Sequence, residues 1–280
     1  MSNMSEEQQK QMEQEQKQLA QNLGSIRRKI AVFSGKGGVG KTTLSVNLAC
    51  GLQQSGANTG ILDADITGPN VTKMLGLHDQ LTSKDSRIVP LDYHGIKVIS
   101  IASMLTPDQP VIWRGPMRSK LISQFLAEVD WGALDYLIAD LPPGTGDEII
   151  TIVQKMQLDM AVIVTTPQEV SLMDVRRAIR MAQRMEIPHI GVVENMSGMV
   201  CPHCGESIDL FGMGGGERQA RELEVPFLGA LPVDYQVCRL ADEGKSIVFE
   251  DSDSPVVTAI TMVADSIREM FDSAVVYPGE

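Results

Sequence analysis

No stretch of this 280-residue chain approaches the roughly 20 consecutive apolar residues that a membrane-spanning helix requires, and the N-terminus lacks the apolar core of a signal peptide. A cytoplasmic protein with no membrane partner is expected. Positive charge is scarce too, with 24 Lys and Arg against 36 Asp and Glu for a net charge of −12. That balance repels duplex nucleic acid and anionic surfaces, so no nucleic-acid partner is expected. Cysteine is too sparse for a disulfide scaffold, because only Cys50, Cys201, Cys204 and Cys238 occur. Internal repeats and an interdomain linker are also missing. What is present, 43% apolar residues with 25 Gly and 14 Pro, is the composition of a folded soluble protein built as one large domain.

Residues 1–24 read as a Gln/Glu-rich tail, disordered or helical, with too few apolar residues up to Asn22 to be anything but solvated. A single domain over residues 25–280 is expected to follow. Its apolar runs of strand length alternate with segments of helical period, the pattern of an α/β fold with a doubly wound, mainly parallel sheet and helices on both faces. Strands are predicted at Lys29–Ser34, Thr59–Asp63, Ile96–Ile101, Tyr136–Asp140, Met160–Thr165, His189–Val193 and Pro226–Leu228, and helices at Lys41–Gln54, Gly115–Glu128, Ser171–Met185 and Pro255–Phe271. The segment near 197–216 is the longest without a clear period, and loops of that length are usually functional or disordered.

After the first predicted strand comes Gly35-Lys36-Gly37-Gly38-Val39-Gly40-Lys41-Thr42, which fits G-x-x-x-x-G-K-[ST] and opens into a predicted helix, with Thr43 next in line. The glycines let the backbone turn its N–H groups inward, and the helix start adds its positive dipole end, so main chain holds polyphosphate. Lys41 is expected to reach the β and γ phosphates and the Thr42 hydroxyl to ligate Mg²⁺. Lys36 is not needed to cradle phosphate within one subunit, and a solvated charge is its plain reading.

Carboxylates stand where open α/β sheets bind ligands, at the carboxyl ends of strands. Asp63 and Asp65 follow the second strand, either near Mg²⁺ and the attacking water or closing an Asx turn before Gly68-Pro69. Asp140 ends another apolar strand ahead of Leu141-Pro142-Pro143-Gly144, the position of a carboxylate that holds the metal through water, with the Gly144 N–H facing the γ-phosphate. Asn195, after the sixth strand, carries an amide that can donate and accept at once, as the edge of adenine requires; a bland Asn turn competes with that reading.

Cys201-Pro202-His203-Cys204 is a C-x-x-C inside the long loop, and soft thiolates select iron–sulfur clusters, Zn²⁺ or Cu(I). A metal site usually takes four ligands and this loop supplies two. Two chains meeting about a twofold axis complete the set, enough for a [4Fe-4S] cluster or a tetrahedral zinc; a zinc knuckle or a plain dithiol stays open. Cys50 and Cys238 read as buried small hydrophobes.

KGGVGKTT, LDADITGPN, Trp113-Arg114-Gly115-Pro116-Met117, DLPPGTGD, ENMSG and CPHCG follow one another in a single order over most of the chain. This sequence resembles the Mrp/ApbC family, the Nbp/Cfd-type P-loop ATPases with a deviant Walker A motif. The resemblance implies a homodimer that hydrolyses ATP slowly, binds a labile [4Fe-4S] cluster between paired C-x-x-C motifs and carries it to apoproteins. It further implies that Lys36 crosses to the partner's nucleotide, that Asp65 orients the lytic water, and that Asn195 and Pro232 border the adenine. An alternative is a MinD/ParA-like positioning switch, which shares the deviant loop but would favour a basic amphipathic C-terminal helix; the other is the same ATPase with structural zinc at C-x-x-C.

Overall fold

The computed structural model describes residues 16–66, 68–104, 115–144, 147–201 and 203–273. Its first half runs β1 (Ile26–Phe33), α1 (Lys41–Gln54), β2 (Thr59–Asp63), α2 (Val71–Met74), β3 (Thr82–Lys84), β4 (Arg87–Val89), β5 (Leu91–Tyr93), β6 (Ile96–Ser100), α3 (Gly115–Glu128) and β7 (Leu134–Asp140). The second half runs α4 (Asp147–Met156), β8 (Met160–Thr165), α5 (Glu169–Arg184), β9 (His189–Glu194), β10 (Met199–Val200), β11 (Ser207–Ile208), α6 (Gly215–Glu222), β12 (Phe227–Ala230), α7 (Tyr235–Asp242), α8 (Ile247–Glu250) and α9 (Pro255–Ser273).

Eight strands form one sheet in the order β12-β9-β8-β1-β7-β2-β6-β5, parallel except for β5 on the edge. Successive side chains of a strand face opposite ways, so β1 sends Ile30 and Val32 into one apolar layer and Ala31 and Phe33 into the other. The first layer packs under α1 and α9 through Leu48, Val257 and Ile260; the second packs under α3, α4 and α5 through Phe125, Ile152 and Val175. Both faces being covered is the reason the central strands are continuously apolar rather than alternating. Strand order reverses at β1, whose neighbours β7 and β8 come from later in the chain, and such a switch point opens a crevice at the carboxyl ends.

The expected doubly wound fold is present, with several local departures. Residues 16–24 are helical, and Asn22 and Leu23 are buried rather than solvated. Asn22 Nδ2 donates to the Leu126 and Val129 carbonyls, each at 2.8 Å, which satisfies acceptors left over at the end of α3 and docks this last turn of the tail. A second departure is α4, an amphipathic helix absent from the sequence expectation. The third is the antiparallel additions β3–β4 and β5, whose three-residue strands are too short to show a period. Trp113, Arg114, Thr145, Gly146 and Pro202 from the sequence motifs lie outside the described residues.

Candidate functional site

A cavity of about 780 Å³ opens at the carboxyl ends of β1 and β9. Its walls bring together Lys36, Gly37, Gly38, Gly40, Lys41, Thr42 and Thr43 with Asp65, Asn195 and Pro232, residues separated by up to about 200 positions in the chain. Gly35, Val39 and Asp140 stand behind that wall. Gly35 has no room for a side chain, since a Cβ there would lie 2.3 Å from the Asp174 carbonyl oxygen in the second turn of α5. Val39 is buried in the α1-side layer and anchors the loop. Gly40 is required twice over: its φ is +85°, and a Cβ would sit 2.0 Å from Asn195 Nδ2.

Beneath the loop, Asp140 is fully buried and accepts three hydrogen bonds, from Lys41 Nζ at 2.8 Å, Thr42 Oγ1 at 2.6 Å and Ser45 Oγ at 2.9 Å. Lys41 Nζ also lies 3.9 Å from Asp65 Oδ2, so one ammonium serves two carboxylates. Asp63 pairs in register with Asp140 across β2 and β7 and is as deeply buried. Burial first, and then the charge of Asp140, push the Asp63 carboxyl up to about 8, against the opposing hydrogen bond from Ser100 Oγ at 2.9 Å. Asp65 lines the cavity and also accepts from the Gly68 N–H at 3.3 Å in a turn. The Gly144 N–H, expected to face phosphate, donates instead to the Ser34 carbonyl at 3.0 Å. Thr42 Oγ1 next to a carboxylate is a hard oxygen donor set that fits Mg²⁺.

Asn195 lines the cavity, and its Nδ2 donates to the Val39 carbonyl at 2.9 Å, tying the end of β9 to the phosphate loop. Ser45, Asn47 and Lys73 were not singled out by sequence reasoning. Ser45 follows Lys41 by four residues, one turn along α1, a detectable signal; Asn47 and Lys73 reach the cavity wall only through the tertiary placement of α1 and α2.

The cysteine loop leaves β9 as the small antiparallel hairpin β10–β11, whose tip carries Cys201 and Cys204. Cys201 N–H donates to the Glu206 carbonyl and Gly205 N–H to the Cys201 carbonyl, both at 2.9 Å, closing the turn. Cys201 is half-buried and Cys204 exposed. The backbone N–H groups of Cys204 and His203 and the Cys204 thiol together lower the Cys201 pKa, which favours the thiolate. Among the described residues no cluster of three or more His, Cys, Asp or Glu is placed to hold a metal ion. Past β11 the same loop turns back, and Leu210 and Phe211 line the cavity. The other two cysteines differ from one another: burial pushes the Cys50 thiol up to about 12, as an inert core group, whereas Cys238 on α7 is exposed on the cavity wall. The buried reading of Cys238 is therefore corrected; α7 turns its polar face, with Cys238 on it, away from Leu240.

The family model of ParA, described as NUBPL iron-transfer P-loop NTPase, matches residues 25–268. The chain belongs to this family. Among its relatives, an iron-sulfur cluster carrier protein from Pyrococcus horikoshii is 49% identical over 251 residues, 85% of each chain. The iron-sulfur cluster transfer protein NUBPL of Dictyostelium discoideum is 44% identical over 236 residues, 83% of this chain and 73% of that one. Of solved structures, a nucleotide-binding protein from Archaeoglobus fulgidus in complex with ADP superposes with a TM-score of 0.76 at 37% identity, covering 87% of this chain and 95% of that one. MinD from Aquifex aeolicus, at 22% identity and a TM-score of 0.63 over 86% and 97% of the two chains, shares the fold. For this iron-transfer NTPase family member, no helix among the described residues is long and apolar enough to cross a membrane.

Proposed function

We propose that this chain is an ATP-hydrolysing carrier that holds a labile [4Fe-4S] cluster between the Cys201/Cys204 pairs of two copies and delivers it to apo iron–sulfur proteins. The observation that carries the reading is a two-thiol half-site whose own loop, through Leu210 and Phe211, forms part of the wall of a phosphate-loop cavity. One chain offers no third ligand among its described residues, and a twofold pair supplies four thiolates. The relatives' names, carrier and transfer protein, agree with that cargo.

In the nucleotide half, N–H groups of Gly37 to Lys41 cradle the phosphates, and Lys41 Nζ moves from Asp140 onto the β and γ phosphate oxygens. Thr42 and Asp140 would hold Mg²⁺, which would supply neutralisation of the phosphate charge. Asp65, at the cavity wall beside Lys41, orients the water that attacks the γ-phosphorus. Lys36 lines the same wall and makes no ion pair with another described residue; it reaches the partner's nucleotide and stabilises the charge that develops there. Asn195 and Pro232 border the adenine.

Anaerobic reconstitution followed by iron, sulfide and mass analysis tests the reading. One cluster per pair of chains, lost in Cys201→Ala, is expected. Colourless protein with stoichiometric zinc would replace the cargo by a structural metal, and equal cluster-transfer rates for wild type and Lys41→Ala, with and without ATP, would remove the coupling.

A further inference from the structure

Strand β9 ends in a fully buried carboxylate, Glu194, that the nucleotide chemistry does not use. Its Oε1 accepts from Ser197 Oγ at 2.6 Å and from the Gly214 N–H at 2.8 Å, and its Oε2 accepts from the Gly216 N–H at 2.5 Å. Ser197 is where the chain leaves toward the cysteine hairpin, and Gly214 and Gly216 are where it returns as α6 begins. A single side chain thus closes the neck of the excursion that carries Cys201 and Cys204. A carboxylate at the first turn of α6 is favoured by the unpaired N–H groups there, so the closure is held by charge-assisted bonds. Gly216 has no side chain to interfere: a Cβ there would meet Glu194 Oε2 at 3.2 Å.

The residue next to this clasp is Asn195, whose amide donates to the Val39 carbonyl of the phosphate loop and whose N–H donates to the Thr165 carbonyl at 2.7 Å. Consecutive residues on one rigid strand end therefore hold the phosphate loop and the neck of the cysteine loop. The Cα atoms of the two residues are one trans peptide, about 3.8 Å, apart, so a shift of the Asn195 backbone when nucleotide seats displaces Glu194 as well.

We propose that Glu194 is a positioning residue that transmits nucleotide occupancy to the cysteine hairpin inside one protomer. This rests on the carrier reading only for its purpose; the linkage itself needs no cluster. Nucleotide-filled protein holds the 197–216 segment closed through Glu194, and nucleotide-free protein lets it open more often, so thiolate geometry follows the state of the cavity.

Amide hydrogen exchange of the full chain, with and without ADP, tests this, alongside ADP affinity by calorimetry. In wild type, ADP is expected to slow exchange in residues 197–216 by about fivefold or more, the lower end of ordinary allosteric couplings. Glu194→Gln keeps the size and one acceptor oxygen but loses the acceptor for one of the two helix-start N–H groups. It is expected to reduce the ADP-induced slowing to less than about twofold while leaving the ADP dissociation constant within about threefold, as for a site beyond direct contact. A merely structural role would change melting temperature and leave the ADP-induced difference intact. No ADP-induced slowing in wild type, full slowing in Glu194→Gln, or a loss of ADP binding that accounts for the whole change would each overturn the proposal. Should Glu194→Gln fail to fold, Ser197→Ala removes one donor alone; partial loss of the slowing supports the clasp and an unchanged response overturns it. Failure of wild-type protein to take up a cluster, with the exchange result standing, would overturn the carrier reading and leave the clasp in place.

Discussion

The phosphate loop and the cysteine hairpin leave the same carboxyl end of the sheet, yet they are built to different degrees of completion. Around Asp140 three side-chain donors converge in a buried pocket, and Lys41, Thr42 and Asp65 are already within reach of one another. The hairpin is a two-rung ladder whose thiols are half-buried or exposed, with no third ligand among the described residues. A buried carboxylate underlies each region: Asp140 is met by three side-chain donors, Glu194 mainly by backbone N–H groups. The difference teaches that the phosphate-loop half is assembled by one chain's folding, whereas the hairpin offers two thiols and no third ligand among the described residues.

The comparison breaks most completely at the cysteines. Cys201→Ser is expected to abolish cluster uptake after anaerobic reconstitution, read from the visible absorbance, while melting temperature moves by less than about 2 °C because serine is nearly isosteric and Cys201 belongs to neither apolar layer. The reciprocal change, Lys41→Ala, should lower ATP hydrolysis by about 10²–10³-fold, the cost of deleting a group that stabilises transition-state charge. Metal uptake by its hairpin should stay within about twofold of wild type if the two halves fold independently. Gly40→Ala sharpens the view of the joint between them: a left-handed φ and a Cβ pressed on the Asn195 amide should cost about 1–3 kcal/mol in denaturant melts and weaken ADP binding measurably.

The smallest effect is a pH dependence. Asp63 sits near 3.8 in the unfolded chain and is pushed up to about 8 when folded, so the folded state holds a proton that the unfolded state has released. Its contribution to stability is complete below about 4 and is lost as pH rises through about 8. Nucleotide-free protein should melt a few degrees lower at pH 9 than at pH 6, and Asp63→Asn should flatten that slope; an equal slope in the variant would show that another group is responsible.

Much of this could be seen in advance, and the exceptions share a cause. The strands Thr59–Asp63 and Met160–Thr165 and the helices Lys41–Gln54 and Gly115–Glu128 occur with the predicted bounds, because an unbroken apolar run or a sustained helical period is a property of neighbours in the chain. Cys238 was misplaced because residues 235–242 make too short a helix for their period to say which face is covered, and only the cavity wall decides it. Asn22 was assigned to solvent on composition; two carbonyls more than 100 residues away keep it buried.

By itself the sequence determined the phosphate loop, the carboxylates at strand ends and the paired thiols of C-x-x-C, since each is written in residues within a few positions of one another. Only the tertiary structure decided that Asp140 would gather Lys41, Thr42 and Ser45, that Leu210 and Phe211 would turn back over the cavity, and that Glu194 would close the cysteine loop beside an Asn195 bound to the phosphate loop. Those contacts depend on which strands lie side by side, and strand order is settled by burial of the whole sheet rather than by any local run of residues.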